Sequence, residues 1–167
     1  MGKLIALLMI LAGSFQLWVM DIEYTLMDSA YRNIQYGLDH AVHDAALQID
    51  KEILSEGSIQ FVEPVAEATL LESMQKNMPI DSQLRPQTST FLEEPMLIKN
   101  IVYIDDDYID ITSGSIVEFP FNWNITLPDG RNVTRAVFGP SIALIVDAKV
   151  IGSEEITSFV VIQEYKE

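Results

Sequence analysis

The stretch LIALLMILAGSFQLWVM, residues 4–20, passes into DIEYTLMDSAYRNIQYGLDHAVHDAALQI, residues 21–49, with no proline in either part. Gln16 is the single strongly polar member of the first part. At about 1.5 Å per residue, residues 4–20 cover roughly 25 Å as a helix, the short end of what crosses a bilayer. Trp18 stands near the far end, where an amphipathic ring suits the membrane interface. Lys3 and the terminal amine precede the run, and Asp21 and Glu23 follow it. The positive-inside rule therefore places the N-terminus in the cytoplasm and the rest of the chain outside.

Leu17, Met20, Tyr24, Met27, Tyr31, Ile34, Leu38, Ala41 and Ala45 follow one another at alternating steps of three and four residues. That is a heptad seam. It crosses the membrane boundary without a shift of phase, so anchor and stalk read as one helix from Leu4 to Ile49, roughly 69 Å long. Gly37 is the weak point, a kink site costing about 1 kcal/mol against alanine. The seam needs a partner. Ile34 to Ala45 is expected to pack against the chain's own C-terminal part. The inner part is expected to meet a neighbouring helix, which makes Leu17, Met20, Tyr24, Met27, Tyr31 and Ile34 the candidate assembly seam. Ala41, Ala45 and Ala46 keep the distal end slim.

A cleaved signal peptide is the rival to a retained anchor, because Ala12-Gly13-Ser14 supplies small residues at cleavage spacing. The apolar run continues through Phe15, Leu17, Trp18, Val19 and Met20, so cleavage would leave a greasy tail; a retained anchor is the favoured reading. Leu11-Ala12-Gly13-Ser14 has the outline of a lipobox, but serine stands where lipidation needs cysteine.

The 167 residues carry 25 acids against 10 basic side chains and no cysteine. Beyond residue 20 the net charge is −16. Such a field repels nucleic acid and anionic headgroups, so no nucleic-acid partner is expected. Disulfides, thiolate metal sites and cysteine nucleophiles are excluded. A secreted domain without disulfides fits a bacterial surface best.

The expected organisation is α+β: a cytoplasmic tip at 1–3, a transmembrane helix at 4–20 and an extracytoplasmic stalk helix at 21–54. A short strand, a second helix and a linker follow over 55–95, then a β-rich part over 96–167. Within 55–95, Ser58 to Val62 reads as a strand. Pro64 opens a helix whose apolar face is Val65, Ala68, Leu71, Met74 and Met78, and Pro79 to Pro95 reads as a long loop. After Pro95 come strands at Met96 to Ile104 and Tyr108 to Thr112. Phe119 to Leu127 alternates strictly and forms a hairpin with Asn132 to Phe138 across a Pro128-Asp129-Gly130 turn. Ser141 to Ile151 pairs with Ile156 to Tyr165. Both faces are apolar near Ile142 to Val146, so this strand is expected to be central, with the stalk helix as one cover. The whole is a long helix packed against a C-terminal antiparallel sheet.

Chemistry-bearing residues are few. His40, His43 and Asp44 share a helix face and form a candidate metal set; a solvated face is the plainer account. Asp105, Asp106, Asp107 and Asp110 are oxygen donors for a candidate calcium site, with Asp105, Asp107 and Asp110 the ligands. Position 110 is aspartate where a calcium-binding helix–loop–helix needs glycine, and a charged turn that keeps strand edges apart is the plainer account. Asn124-Ile125-Thr126 and Asn132-Val133-Thr134 match the glycosylation acceptor. No phosphate loop, nucleophile elbow or paired-carboxylate motif occurs, so neither a cofactor nor an enzymatic activity is implied.

A short basic N-terminus, one apolar N-terminal helix, a long amphipathic continuation and a β-rich C-terminal part together resemble the pilin-like proteins: type IV pilins, pseudopilins and TadE/TadF-type components of Tad pilus systems. Residues 38–48, LDHAVHDAALQ, are similar to the alanine-rich juxtamembrane helix of the TadE type. Against the prepilin pattern, Gly2 is placed to precede cleavage, but the fifth mature residue would then be Leu7 instead of glutamate. Glu23-Tyr24 lies beyond the apolar run. The resemblance implies a minor or accessory structural subunit of a pilus or secretion apparatus, in homo- or hetero-oligomeric contact with other membrane-anchored helical subunits. The alternative is an anchored extracytoplasmic binding module, cation-dependent through the aspartates.

Overall fold

The computed structural model describes residues 2–87, 91–110, 114–127 and 130–166. Helix α1, Gly2–Ala46, is unbroken for 45 residues, about 67 Å. Leucine and alanine, both strong helix formers, are its commonest residues, and no proline interrupts it. It ends three residues short of Ile49. Asp50 starts a separate short helix, α2 (Lys51–Ser55), by accepting from the amides of Glu52 at 2.8 Å and Ile53 at 3.3 Å. A capping aspartate competes with continuation of the preceding helix, so a stalk running to residue 54 is replaced by helix, bridge and second helix.

The strand expected at Ser58 to Val62 reduces to one bridge, Phe61 opposite Ile49. Side-chain carboxylates take the donors that a ladder would use: Asp106 accepts from Ile59 N–H at 2.6 Å and Asp105 from Phe61 N–H at 3.2 Å. Helix α3, Glu63–Asn77, starts beside Pro64 as expected. Its buried face is Ala66, Leu70, Ser73 and Met74, while Val65 and Ala68 face solvent and Leu71 is half-buried. Met74 and Met78 of the expected face are buried; Val65 and Ala68 are not, so only the first part of the face was misplaced. The smaller face wins because α3 packs against the slim part of α1, which buries Gly37, Ala41, Ala45 and Ala46.

The segment from Pro79 to Pro95 is docked rather than free. Ile80, Leu84 and Leu92 are core residues, and bridges join Ile80 to Pro86 and Leu92 to Val150. Thr88, Ser89 and Thr90 lie outside the described residues.

Strands β1 (Leu97–Ile104), β4 (Ser141–Ala148) and β5 (Thr157–Glu164) form an antiparallel sheet with β4 in the middle. Strands β2 (Phe121–Thr126) and β3 (Asn132–Val137) form a separate antiparallel hairpin. Of the expected Tyr108 to Thr112 strand, a bridge from Ile109 to Ile116 is described; residues 111–113 lie outside the described set. So do Pro128 and Asp129 of the hairpin turn, where Gly130 takes a φ of 84°.

Three layers result: helices, sheet, hairpin. Central β4 serves both cores. Ile142, Leu144 and Val146 join α1 and α3 in the larger one, and Ala143 joins Trp123, Val137 and Ile104 in the smaller. Strand β4 is therefore apolar on both faces, which explains its non-alternating sequence. The fold is α+β, with the long N-terminal helix packed on the C-terminal sheet.

Candidate functional site

One seam on α1 has two fates. Ile34, Leu38, Ala41 and Ala45 are buried by the chain's own α3 and sheet. Tyr31 belongs to the same contact: its ring packs 5.9 Å from that of Phe159, and its hydroxyl lies 3.0 Å from Thr157 Oγ1. Met27 is half-buried against the core. Below it the cover stops. Leu17 is 70 % exposed, Met20 59 % and Tyr24 68 %. Of the six residues in the candidate assembly seam, Ile34 and Tyr31 are therefore engaged within the chain, Met27 stands at the margin, and Leu17, Met20 and Tyr24 are bare.

The first buried residue on α1 is Ala30. Residues 2–26 are all exposed, a stretch of about 37 Å along the axis. The most apolar 18-residue window of α1 has a mean hydropathy of 1.9 and none of it is buried. By length and composition this helix is a candidate membrane span. In water such a surface would be far larger than the apolar patches soluble monomers expose.

The polar candidates resolve differently. His40 and His43 are exposed, whereas Asp44 turns to α3 and accepts from Ser73 Oγ at 2.6 Å. Asn77 Nδ2 donates to the same hydroxyl at 3.0 Å. Asp44 is a tie between helices, and no group of three potential metal-ligating side chains occurs among the described residues.

Asp105 and Asp106 hold the 58–61 segment against the end of β1, with Ser58 Oγ adding a 3.3 Å bond to Asp106. Burial pushes the Asp105 carboxyl up to about 6; the Phe61 amide opposes this, and Asp107, Glu63 and Asp106 add to it. Tyr103, above Glu63, is pushed up to about 12 by burial and by the charges of Glu67 and Glu63. Asp107 is exposed, and Asp110 pairs its amide with Ser115 C=O at 3.0 Å. Asp105 and Asp106 work as structural acceptors.

The two acceptor triplets interlock. Asn124 lies opposite Thr134 and Thr126 opposite Asn132 in the β2–β3 register. Thr134 Oγ1 donates to Asn124 Oδ1 at 2.7 Å, and Thr126 Oγ1 donates to Asn132 Oδ1 at 2.8 Å. They form a cross-strand ladder on the exposed face of the hairpin.

One feature escaped the sequence pattern. The β4–β5 connection, residues 149–156, descends beside the bare part of α1, where Ile151 and Gly152 line a cleft of about 520 Å³ with Met20, Glu23, Tyr24, Leu26 and Met27. The doublet of exposed isoleucines flanking Gly152-Ser153-Glu154-Glu155 was the available signal. Comparison with family models, with curated proteins and with solved structures finds no match to this chain.

Proposed function

We propose that this protein is a membrane-anchored structural subunit of the pilin-like kind. It is a minor or accessory component of a pilus or secretion apparatus, held by residues 4–20 with its folded part on the extracytoplasmic side. The observation that carries the reading is the division of one heptad seam at Met27: satisfied within the chain above, uncovered below. A lipid-facing helix needs apolar character but no heptad phase. The continuation of the phase through Tyr24, Met20 and Leu17 supports a second helix as the partner of that face. The acidic, cysteine-free outer part and its structurally committed polar residues agree with a structural role.

Photo-crosslinking amino acids at Leu17, Met20 and Tyr24 of the full chain, in membranes of the native host, test this. Discrete adducts from these positions, with none from lipid-facing Leu8 or buried Ile34, are expected. A chain that is extracted by alkaline carbonate, or that yields no adduct from any of the three, would overturn the reading.

A further inference from the structure

We propose that the β4–β5 turn is a second membrane contact, seating Ile151 and Ile156 in the headgroup layer of the bilayer that α1 crosses. The inference rests on the proposed anchor and adds an orientation to it.

Level is the first argument. Ile151 and Gly152 line one cleft with Met20, Glu23, Tyr24 and Met27, so the turn stands beside the two helical turns that follow the apolar run. Met20 to Met27 spans about 10 Å along the axis. The headgroup layer on each side is roughly 5–8 Å thick. Trp18 and Tyr24, both exposed, bracket the same level.

Presentation is the second. Tyr31 packs on Phe159 and meets Thr157, which fixes the start of β5 against the helix and sends the turn toward its N-terminal end. Ile151 is 45 % exposed and Ile156 57 %. Leu97, opposite Asp147 at the same end of the sheet, is also exposed. The turn is tied down. Gly152 N–H donates to the Glu93 carboxylate at 3.1 Å, Ile151 N–H to Phe91 C=O at 2.8 Å, and Lys149 Nζ lies 3.1 Å from Glu94 and 3.3 Å from Glu93. Two isoleucines on an ordered turn have little conformational freedom left to lose on entering an interface.

Charge sets the kind of surface. Glu154 and Glu155 at the tip and Asp21 and Glu23 on the helix disfavour anionic lipid, so the fitting surface is zwitterionic. At headgroup depth these carboxylates stay hydrated while the neighbouring isoleucines reach the acyl boundary.

The absence of cysteine makes the test direct. Single variants Ile151→Cys, Ile156→Cys, Leu11→Cys and Phe138→Cys of the full chain are labelled with an environment-sensitive fluorophore. They are placed one copy per phosphatidylcholine nanodisc, with nitroxide lipids quenching at shallow or deep positions. Labels at 151 and 156 should shift to the blue and be quenched by the shallow nitroxide. The label at 11 should be quenched by the deep one. The label at 138, exposed at the opposite end of β4, should be quenched by neither. Unquenched labels at both 151 and 156 with a quenched label at 11 overturn the turn contact and leave the anchor standing. An unquenched label at 11 overturns the anchor and the contact together. Quenching or blue shift at 151 and 156 only when discs hold two copies assigns the patch to a second chain and overturns the lipid contact.

Discussion

Met78 lies across the bare backbone of Gly37: its Cγ and Sδ occupy the space a β-carbon on residue 37 would need, with Sδ 2.8 Å from that point. Gly37 is thus a close-packing position inside an unbroken helix. Gly37→Ala gains about 1 kcal/mol of helix propensity but forces buried Met78 to move, at about 1–3 kcal/mol. A net loss of about 1 kcal/mol is expected in denaturant unfolding of the detergent-solubilised chain. In the double variant with Met78→Ala the loss should be smaller than the sum of the singles. Stabilisation by Gly37→Ala would contradict the packing.

The divided seam predicts unequal costs for equal changes. Leu38→Ala opens a cavity in the larger core and should cost about 2–5 kcal/mol. Leu17→Ala, at a bare seam position, should change unfolding of the folded part by less than about 0.5 kcal/mol. Similar costs at the two sites would mean that the inner half has an intramolecular partner.

Asp105 makes stability depend on pH with a definite sign. Its carboxyl is raised to about 6 from an ordinary 3.8, so between those values the folded state binds more protons than the unfolded. Its contribution is fully present below the ordinary value and is lost as pH rises through about 6. The melting temperature should fall across that window. Asp105→Asn keeps an acceptor oxygen for Phe61 N–H and should flatten the slope there. An unchanged slope would remove Asp105 as its source.

Asp44 ties α1 to α3 through Ser73. Asp44→Ala leaves the buried hydroxyl with Asn77 alone and should cost about 1–2 kcal/mol; Asp44→Asn should cost less. His43→Ala, on the exposed side, should fall within about 0.5 kcal/mol, and added zinc should leave the melting temperature of the unmodified chain in place. A zinc-dependent rise lost in His43→Ala would restore the metal reading.

Legibility followed the range of the forces involved. The long helix, the hairpin and the doubly buried β4 were readable because each is written in local periodicity: heptad steps from Leu17 to Ala45, strict alternation from Phe119 to Leu127, an apolar block from Ile142 to Val146. The end of α1 was missed because Asp50, a short polar residue in an otherwise helical run, caps a new helix instead of riding on the old one. The α3 face was misassigned because Val65 and Ala68 are apolar enough to pass for core. Only the partner surface decides which side of a weakly amphipathic helix turns inward.

By itself the sequence determined the plan: an apolar run of 17 residues, continued in phase into an amphipathic helix, then strands. Patterns of that kind need only the period of the backbone. The tertiary structure decided where the seam changes partner, because that depends on how far the folded part reaches down the helix. It reaches to Met27, and the β4–β5 turn reaches further. It also decided what the acids do: Asp105, Asp106 and Asp44, which in sequence are only acceptors without a partner, accept from the amides of residues 59 and 61 and from the hydroxyl of Ser73, brought to them from distant positions by the packing of the larger core.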